Sequence, residues 1–329
     1  MIRGPVDGLG PGFLLEPSGP LSDRRFPSMR INTVEARNRE TLDQIEKVGL
    51  TDFADLQGYR KQYPYHGFID IPLPGGEQIS LFCNNDDLTA LAYLWIDGFQ
   101  EEPYSLDLWM KLCRKASTIL DIGSHVGLFA LAAARANPEA RIRAFEAVDF
   151  IYARLMVNIQ ANGMNGIIKG QNVGVSDRSG WSVINLNLGP QMMSKGASLK
   201  DKKLANRKPR KKWLQTEMID TLCAKEKVDL IKIDVEGHEA LALTGAAQTL
   251  AATKPTVLCE ILRRDVGRGE VFAIFEDLGY ECHLILEDEQ KTVPTSGAGE
   301  ANQARSAGDR NFLFVHPDRK AGLSDILTV

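Results

Sequence analysis

From residue 118 onward, short apolar runs alternate with segments in which apolar residues recur every three or four positions. The short runs are typical of buried strands, and the second pattern is typical of amphipathic helices. The expected strands cover residues 118–122, 141–144, 167–175, 181–186, 228–233, 256–261, 282–286 and 311–315. The expected helices cover residues 126–134, 150–162, 239–251 and 270–278. Repeated strand and helix units predict an α/β fold with a parallel-rich, doubly wound sheet.

The first 114 residues follow a different pattern. Residues 1–30 contain five Gly and five Pro with almost no periodicity, which favours an irregular arm. We expect residues 31–114 to form a helical and hairpin extension or lid, packed on a domain that spans 115–329. The expected elements of this extension are helices at 33–48, 86–96 and 104–116 and a hairpin of 68–73 and 78–82 around Pro74-Gly75-Gly76.

Composition and charge narrow the class of protein. The net charge of −4, with 43% apolar and 25% charged residues, argues against a nucleic-acid or membrane-surface binder. The five cysteines are widely spaced and odd in number, which fits reduced thiols better than disulfides or a zinc site. No stretch approaches the roughly 20 apolar residues of a membrane span. The N-terminus lacks the apolar core of a signal peptide, so we expect a cytoplasmic protein.

A glycine loop follows the first strand of the alternating region, in the sequence Asp121-Ile122-Gly123-Ser124-His125-Val126-Gly127. Gly123 permits a sharp turn and Gly127 permits close packing of helix and strand. The following helix N-terminus can hold a carboxylate or phosphate, although such a loop alone is a weak signal. The spacing is not that of a dinucleotide site, and Asp121 favours a cationic ligand. S-adenosylmethionine, with its ammonium and sulfonium, fits this chemistry better than a nicotinamide.

Glu146 ends the second strand, 19 residues after Gly127. An acidic residue at this place can accept hydrogen bonds from both ribose hydroxyls of a bound nucleoside. The alternative is a solvated glutamate at a strand end. We favour the ribose role because position and chemistry agree.

Four titratable residues crowd together directly after the strand at 228–233. They are Asp234, Glu236, His238 and Glu239. Their position at the expected ligand crevice favours a functional site. Two of them also have structural interpretations, since Glu239 can charge the first turn of a helix and His238 can be a cap residue. A divalent metal on this segment is a minor alternative, because one short segment supplies only part of a ligand shell, and no metal is predicted.

Together these motifs make the chain similar to the FkbM-type family of S-adenosylmethionine-dependent methyltransferases. The matching segments are 119–127, 144–146, 172–177, 219–222 and 232–239. The resemblance covers about 118–317 and extends weakly from about 98, where Glu101-Glu102-Pro103 looks like the acidic-Pro segment that leads into the family domain. It does not cover residues 1–60.

The resemblance implies a class I methyltransferase fold, with a seven-stranded sheet and one antiparallel strand near its end. It implies S-adenosyl-L-methionine as cofactor. Carried over position by position, the cofactor-binding residues are Asp121, Gly123, Ser124, His125, Gly127, Glu146, Val173, Gly174 and Glu102. In this scheme Asp121, Gly123 and Gly127 line the methionine part. Glu146 holds the ribose, and the pair 173–174 passes near the adenine.

The resemblance also implies O-methylation of a hydroxyl, commonly on a natural product or sugar, whereas a few relatives methylate nitrogen, including peptide side chains. It places Asp234 at the methyl-transfer site. Methyl transfer needs the nucleophile collinear with the methyl group at about 3–3.5 Å, and a hydroxyl must also lose its proton. Asp234 and His238 are the candidates for a base or for orienting the acceptor. His125 stands where the family more often has Asn or another small residue, so its imidazole either reaches the ligands or fills space.

Residues 200–212 form a basic run with eight Lys and Arg and one Asp. One interpretation is a solvated, mobile loop. The other is a clamp for an anionic small-molecule acceptor or for a macromolecule. Nucleic acid is the least favoured of these acceptors, because Trp213 is the single aromatic residue beside the run and stacking on bases needs more. Residues 287–310 are expected to form another mobile loop. The identity of the acceptor and the oligomeric state stay open.

Overall fold

A computed structural model of the chain describes residues 31–186, 210–262, 267–295 and 310–327, and the predicted arm 1–30 lies outside this part. The strands are β1 (His66–Pro72), β2 (Gln78–Asn84), β3 (Thr118–Ile122), β4 (Arg141–Phe145), β5 (Ile168–Gln171), β6 (Gly174–Val175), β7 (Gly180–Leu186), β8 (Arg210–Glu217), β9 (Leu230–Ile233), β10 (Thr256–Glu260), β11 (Glu281–Leu286), β12 (Lys291–Thr295) and β13 (Asn311–Val315). The helices are α1 (Ile31–Val48), α2 (Phe53–Gln62), α3 (Leu88–Trp95), α4 (Pro103–Cys113), α5 (Leu128–Ala136), α6 (Asp149–Ala161), α7 (Ile219–Leu222), α8 (Glu239–Thr244), α9 (Ala247–Thr253), α10 (Arg268–Asp277) and α11 (Pro317–Lys320), followed by a 3-10 turn, Ala321–Leu323. No helix in these ranges is long and apolar enough to span a membrane.

The central sheet has eight strands in the order β5, β4, β3, β9, β10, β13, β11, β12. The first five are parallel to one another, and β13 runs antiparallel between β10 and β11. This strand order, with the reversed β13 between β10 and β11, is that of a class I methyltransferase sheet to which β12 is added at the edge. It confirms the predicted Rossmann-like α/β fold.

An eighth strand extends the sheet beyond the predicted seven. Residues 287–310 were expected to be a loop, but β12 pairs antiparallel with β11 at the sheet edge. Pro294 within the segment argues against an interior strand because proline lacks the N–H that a ladder requires. An edge strand tolerates proline, since only one of its sides needs partners. Residues 296–309 lie outside the described part.

Two apolar cores cover the two faces of the sheet, because successive residues of a strand point in opposite directions. On β3, Ile119 packs in the core beneath α4, α5 and α6, whereas Leu120 and Ile122 pack in the core beneath α8, α9 and α10. Asp121 alternates with Leu120 and Ile122 and therefore lies on the α4–α6 face. The strands end together at one edge, where the charged residues of the sequence motifs are found.

The hairpin β1–β2 is fixed to helix α6 by two asparagines. Asn158 accepts a hydrogen bond from the Phe82 N–H at 2.8 Å, and Asn162 accepts one from the Ser80 N–H at 2.9 Å and donates to its carbonyl at 2.8 Å. These side chains bind the backbone N–H and C=O groups of β2 that an additional strand would otherwise pair with. The N-terminal segment also shares the apolar core of α5 and α6. Helix α2, which precedes the hairpin, was not predicted from the sequence.

The structure differs from the sequence prediction in three places. The expected strand 167–175 divides into β5 and β6, and β6 joins a second sheet of order β6, β8, β7. The expected helix 239–251 divides into α8 and α9 at Gly245, whose carbonyl accepts from the Asp220 N–H at 2.9 Å instead of continuing the helix. The end of the basic run, from Arg210, belongs to strand β8 and not to a loop. Residues 187–209, with the rest of the run, are outside the described part.

Candidate active site

A cavity of about 1360 Å³, counted out to its mouth, opens at the carboxyl ends of β3, β4, β9 and β10. Ligands of open α/β sheets bind at this edge. Among the described lining residues the acids are Glu101, Glu102, Asp121, Glu146, Asp234, Glu236 and Glu260. The lining Lys and Arg residues are Lys232 and Arg310. The charge of this lining favours a cationic ligand.

The glycine loop forms one wall of the cavity. Gly123 has φ +84°, and its N–H donates to the Phe145 carbonyl at 2.9 Å. A Cβ at this position would overlap with the backbone carbonyl of Asp234, so only glycine lets the loop lie against the end of β9. Ser124 and His125 also line the cavity, the latter with a left-handed φ of +50°. Gly127 starts α5 with φ +101° and lies against Leu155, outside the lining.

Glu146 lies at the end of β4 and faces the glycine loop. Its Oε2 accepts the His125 N–H at 3.0 Å and its Oε1 accepts the Val148 N–H at 2.8 Å. Burial raises the pKa of Glu146 to about 7, although both hydrogen bonds act in the opposite direction. Each carboxylate oxygen has a second lone pair, so this buried side chain can still accept hydrogen bonds from a ligand.

Asp121, at the centre of the sheet, is almost completely buried and pairs in register with Lys232 on β9. Neither of its carboxylate oxygens has a hydrogen-bond partner of normal geometry among the described residues. The nearby Ser124 hydroxyl donates instead to the backbone carbonyl of Asp121 at 2.8 Å. Burial raises the pKa of Asp121 to about 6, and the positive charge of Lys232 limits the rise. An unsatisfied buried carboxylate of this kind is ready to bind a donor from a ligand.

Asp234 follows β9 and opens into the cavity, with about a third of its side chain exposed. Its Oδ2 lies 3.2 Å from the Lys232 ammonium, which also sits 4.3 Å from the ring centre of Phe129. Burial alone would lower the pKa of Lys232, but Asp234, Asp121 and two further carboxylates outweigh it and the net shift is upward. Lys232 is therefore a fixed cation between two strand-end carboxylates.

Two charged lining residues lie outside the motifs that the sequence analysis singled out. Glu260 ends β10, and the Arg310 Nε lies 2.5 Å from its Oε1. Arg310 also reaches Glu102 with its Nη2 at 2.5 Å, and Asn311 donates to the second oxygen of Glu102 at 3.1 Å. A charged residue at the end of an apolar run was the available signal for Glu260. Nothing in the local sequence pointed to Arg310, because its partners are distant in the chain.

Residues 121–282 match the model of the family described as methyltransferase FkbM domain. This segment belongs to the FkbM methyltransferases. The chain is 26% identical over 204 residues to methyltransferase sdnD of Sordaria araneosa, a match that covers 54% of this chain and 77% of that protein.

Solved structures of FkbM-like and related methyltransferases overlap with the chain at low identity. The methyltransferase FkbM from Methylobacillus flagellatus has 13% identity and a TM-score of 0.40, covering 84% of this chain and 59% of that one. The match thus spans less than two thirds of the Methylobacillus protein. An S-adenosylmethionine-dependent O-methyltransferase from Thermotoga maritima has 11% identity and a TM-score of 0.38, covering 78% and 80%.

S-adenosyl-L-methionine is the cofactor of FkbM methyltransferases, and the residues of this cavity fit it. The unsatisfied carboxylate of Asp121 suits the cofactor's ammonium group. The remaining lone pairs of Glu146 suit two ribose hydroxyls. The acidic excess of the lining suits a ligand with a sulfonium and an ammonium against one carboxylate.

Three residues predicted for the site of this FkbM domain lie outside the cavity lining, namely Gly127, described above, His238 and Val173. His238 is buried at the start of α8, with its Nε2 3.0 Å from the Ser176 hydroxyl. Val173 is buried in the core, and Gly174 and Val175 line the cavity in its place. The sequence could not separate these neighbours because only the turn between β5 and β6 decides which of them faces the ligand.

The other acids after β9 have different positions. Glu239 accepts hydrogen bonds from the Gly237 N–H at 2.8 Å and the Val235 N–H at 3.3 Å, so it holds the loop that carries Asp234. Glu236 lines the cavity with a left-handed φ of +54°. Within the described ranges no group of three or more His, Cys, Asp or Glu could hold a metal.

Proposed function

We propose that this FkbM methyltransferase transfers the methyl group of S-adenosyl-L-methionine to a hydroxyl of a small molecule, a natural product or a sugar. The observation that carries the proposal is the placement of Asp234. Its carboxylate opens into the cavity beside the glycine loop, at the end of the central strand next to β3. A carboxylate at that point can orient a hydroxyl and receive its proton.

Three residues of the cavity have distinct parts in this mechanism. The cofactor supplies an electrophilic methyl group on a positively charged sulfur. Asp121 binds the ammonium end and Glu146 binds the ribose, so the cofactor is held at both ends. Asp234 accepts a hydrogen bond from the acceptor hydroxyl and takes its proton as the new bond forms. His238, which does not line the cavity, donates its backbone N–H to the Val235 carbonyl at 3.3 Å and is assigned no step in the transfer.

Calorimetry with S-adenosyl-L-methionine and S-adenosyl-L-homocysteine tests the cofactor site. Both ligands should bind, and Glu146→Ala should weaken binding at least tenfold because two ribose hydrogen bonds are lost. Glu276→Ala, on the exposed face of α10, is the matched control and should bind as the wild type does. A wild-type protein that binds neither ligand would refute the proposal.

The acceptor is then sought with labelled donor and a panel of hydroxylated and amino-bearing small molecules. Label should appear on hydroxyl acceptors, and Asp234→Asn should lower kcat by a factor of about 10²–10⁴, as expected when a general base is removed. Transfer confined to amines, with Asp234→Asn fully active, would contradict O-methylation.

A macromolecular acceptor, methylated on nitrogen or oxygen and docked through the basic run 200–212, is the second candidate. Trp213 on β8 and Trp181 on β7 favour it. Both side chains are about 70% exposed, and the register places them on the same face of the β7–β8 pair. Lys211, two residues before Trp213, shares that face. If this surface docks the acceptor, replacing the eight cations of the run by Ser should raise KM and flatten its salt dependence. Unchanged KM would exclude such docking.

A further inference from the structure

Two carboxyl side chains end neighbouring parallel strands at the cavity. The register pairs Ile233 with Cys259, which makes Asp234 and Glu260 the next residues along the two strands. Both line the cavity, and the negative charge of Asp234 raises the pKa of Glu260, so the two carboxyl groups lie close together. Two carboxylates this close do not both ionise at low cost, so they retain one proton between them.

Each member of this carboxyl pair, Asp234 and Glu260, has its own cation. Lys232 lies 3.2 Å from Asp234, and Arg310 lies 2.5 Å from Glu260. The two cations therefore approach the pair from the sides of different strands and fix the two carboxyl groups. Glu260 is more than nine-tenths buried, whereas Asp234 is the more exposed member. Burial therefore favours the neutral form of Glu260 over that of Asp234, and Asp234 faces the open part of the cavity.

The charges around the pair agree with this assignment. Burial raises the pKa of Glu260, the negative charge of Asp234 raises it further, and Arg310 offsets only part of the rise. Three further acids act on the pair, namely Asp121 from β3, Glu146 from the end of β4 and Glu102 from the start of α4. Their negative charges act in the same direction as that of Asp234.

We propose that Asp234 and Glu260 work as one proton-holding pair in methyl transfer, with Glu260 as the positioning residue that aims the Asp234 carboxylate at the acceptor. This inference rests on the proposed function. The acceptor oxygen forms a bond to the methyl carbon while the sulfur–methyl bond breaks, and the electron pair of that bond stays on sulfur as a neutral thioether. The proton of the acceptor hydroxyl passes to Asp234. The pair releases this proton to solvent before the next turnover.

Proton release on ligand binding tests the pair without knowledge of the acceptor. The sulfonium of S-adenosyl-L-methionine brings a positive charge to the cavity that S-adenosyl-L-homocysteine lacks, whereas both ligands share the ammonium and ribose groups seen by Asp121 and Glu146. Binding of the sulfonium compound should therefore release more protons at pH 7. The difference is measured by calorimetry in two buffers of unlike ionisation enthalpy, phosphate and Tris.

Glu260→Gln should reduce this difference to the part contributed by Asp121 and Glu146 while both ligands still bind, because the amide cannot release a proton. Glu276→Gln removes one exposed carboxyl of the same type and should leave the difference unchanged. Equal proton release by the two ligands in the wild type, or a difference that is undiminished in Glu260→Gln, would overturn the inference. Absence of cofactor binding in the wild type would instead refute the proposed function itself.

Kinetics with the acceptor found in the screen give a second test that a merely structural role would not pass. Asp234→Asn, Glu260→Gln and the double variant should lower kcat to a similar level, since residues that act as a unit are not additive. Glu260→Gln should also shift the pH profile of kcat with little change in the KM for cofactor. Losses that multiply, with an unshifted pH profile, would show independent roles and contradict the pair.

Discussion

Ionisation of the buried Glu146 should make the stability of the ligand-free protein fall as pH rises. Its pKa is raised from 4.5 to about 7 by burial. Between these values the folded protein keeps a proton that the unfolded chain has lost, so the free energy of unfolding decreases across this window and levels off above pH 7. Each pKa unit corresponds to 1.36 kcal/mol, which makes the total decrease about 3 kcal/mol.

Glu146→Gln isolates this contribution because glutamine cannot ionise. The variant loses one acceptor for the His125 or Val148 N–H, which costs about 1–3 kcal/mol at every pH. It is therefore expected to be less stable than the wild type at pH 5. As pH rises to 8 the difference should change by about 3 kcal/mol in favour of the variant. The raised pKa of Asp121 acts in both proteins and cancels in the comparison.

Urea unfolding at pH 5, 6, 7 and 8, followed by the emission of the buried Trp95 and Trp109, measures the difference. Glu276→Gln is the control and should give a curve parallel to that of the wild type. If the curves of Glu146→Gln and the wild type are also parallel, Glu146 has no raised pKa in the folded state and the reasoning fails. Saturating S-adenosyl-L-methionine should stabilise the wild type more than Glu146→Gln, since ligand stabilisation follows affinity.

Three further substitutions test the framework of the site. Gly123→Ala should abolish cofactor binding and lower the free energy of unfolding by about 3 kcal/mol or more, because the new methyl group overlaps with the Asp234 carbonyl at a left-handed φ. Cofactor binding by this variant as tight as that of the wild type, measured by calorimetry, would contradict this prediction. Asn158→Ala should cost about 2–3 kcal/mol, because two buried backbone groups lose their partner; urea midpoints measure it. Asp86→Ala should cost about 3–5 kcal/mol by leaving the buried Arg154 charge unpaired, and the double variant with Arg154→Met should recover part of the loss in the same urea assay.

The positions of the strands, and with them the site residues that end those strands, could be predicted from the sequence. Asp121, Gly123, Glu146 and Asp234 all lie at or just beyond the end of a parallel strand, and a parallel sheet brings such ends to one edge without any further information. The same principle explains why these predictions do not depend on details of side-chain packing. Strand β3 was placed correctly at both ends because a fully buried strand leaves a mostly apolar run, which Asp121 interrupts here.

The remaining elements depend on contacts that are distant in the chain. Strand β8 begins inside a basic run, and its pairing with β7 overrides a composition that indicates a loop. Arg310 reaches Glu260 and Glu102 across about 50 and 200 residues of sequence, which no local pattern encodes. His238 was placed at the site for its chemistry and its position just after a strand, and the fold turns it toward Ser176. Chemistry indicates what a residue can do, but only the fold decides which cavity it faces.

The cavity brings together strained backbone conformations and buried carboxylates, both of which are rare in an apolar core. Among the described residues, three of the six non-glycine residues with positive φ line it, namely Glu102, His125 and Glu236. Such backbone conformations cost on the order of 1–3 kcal/mol each, and the buried carboxylates Asp121 and Glu146 add their own ionisation cost. A ligand that carries positive charge and ribose hydroxyls relieves the second cost but not the first. Cofactor binding and stability are therefore coupled through charge. The strained backbone conformations, by contrast, are held by the surrounding fold in the ligand-free protein as well.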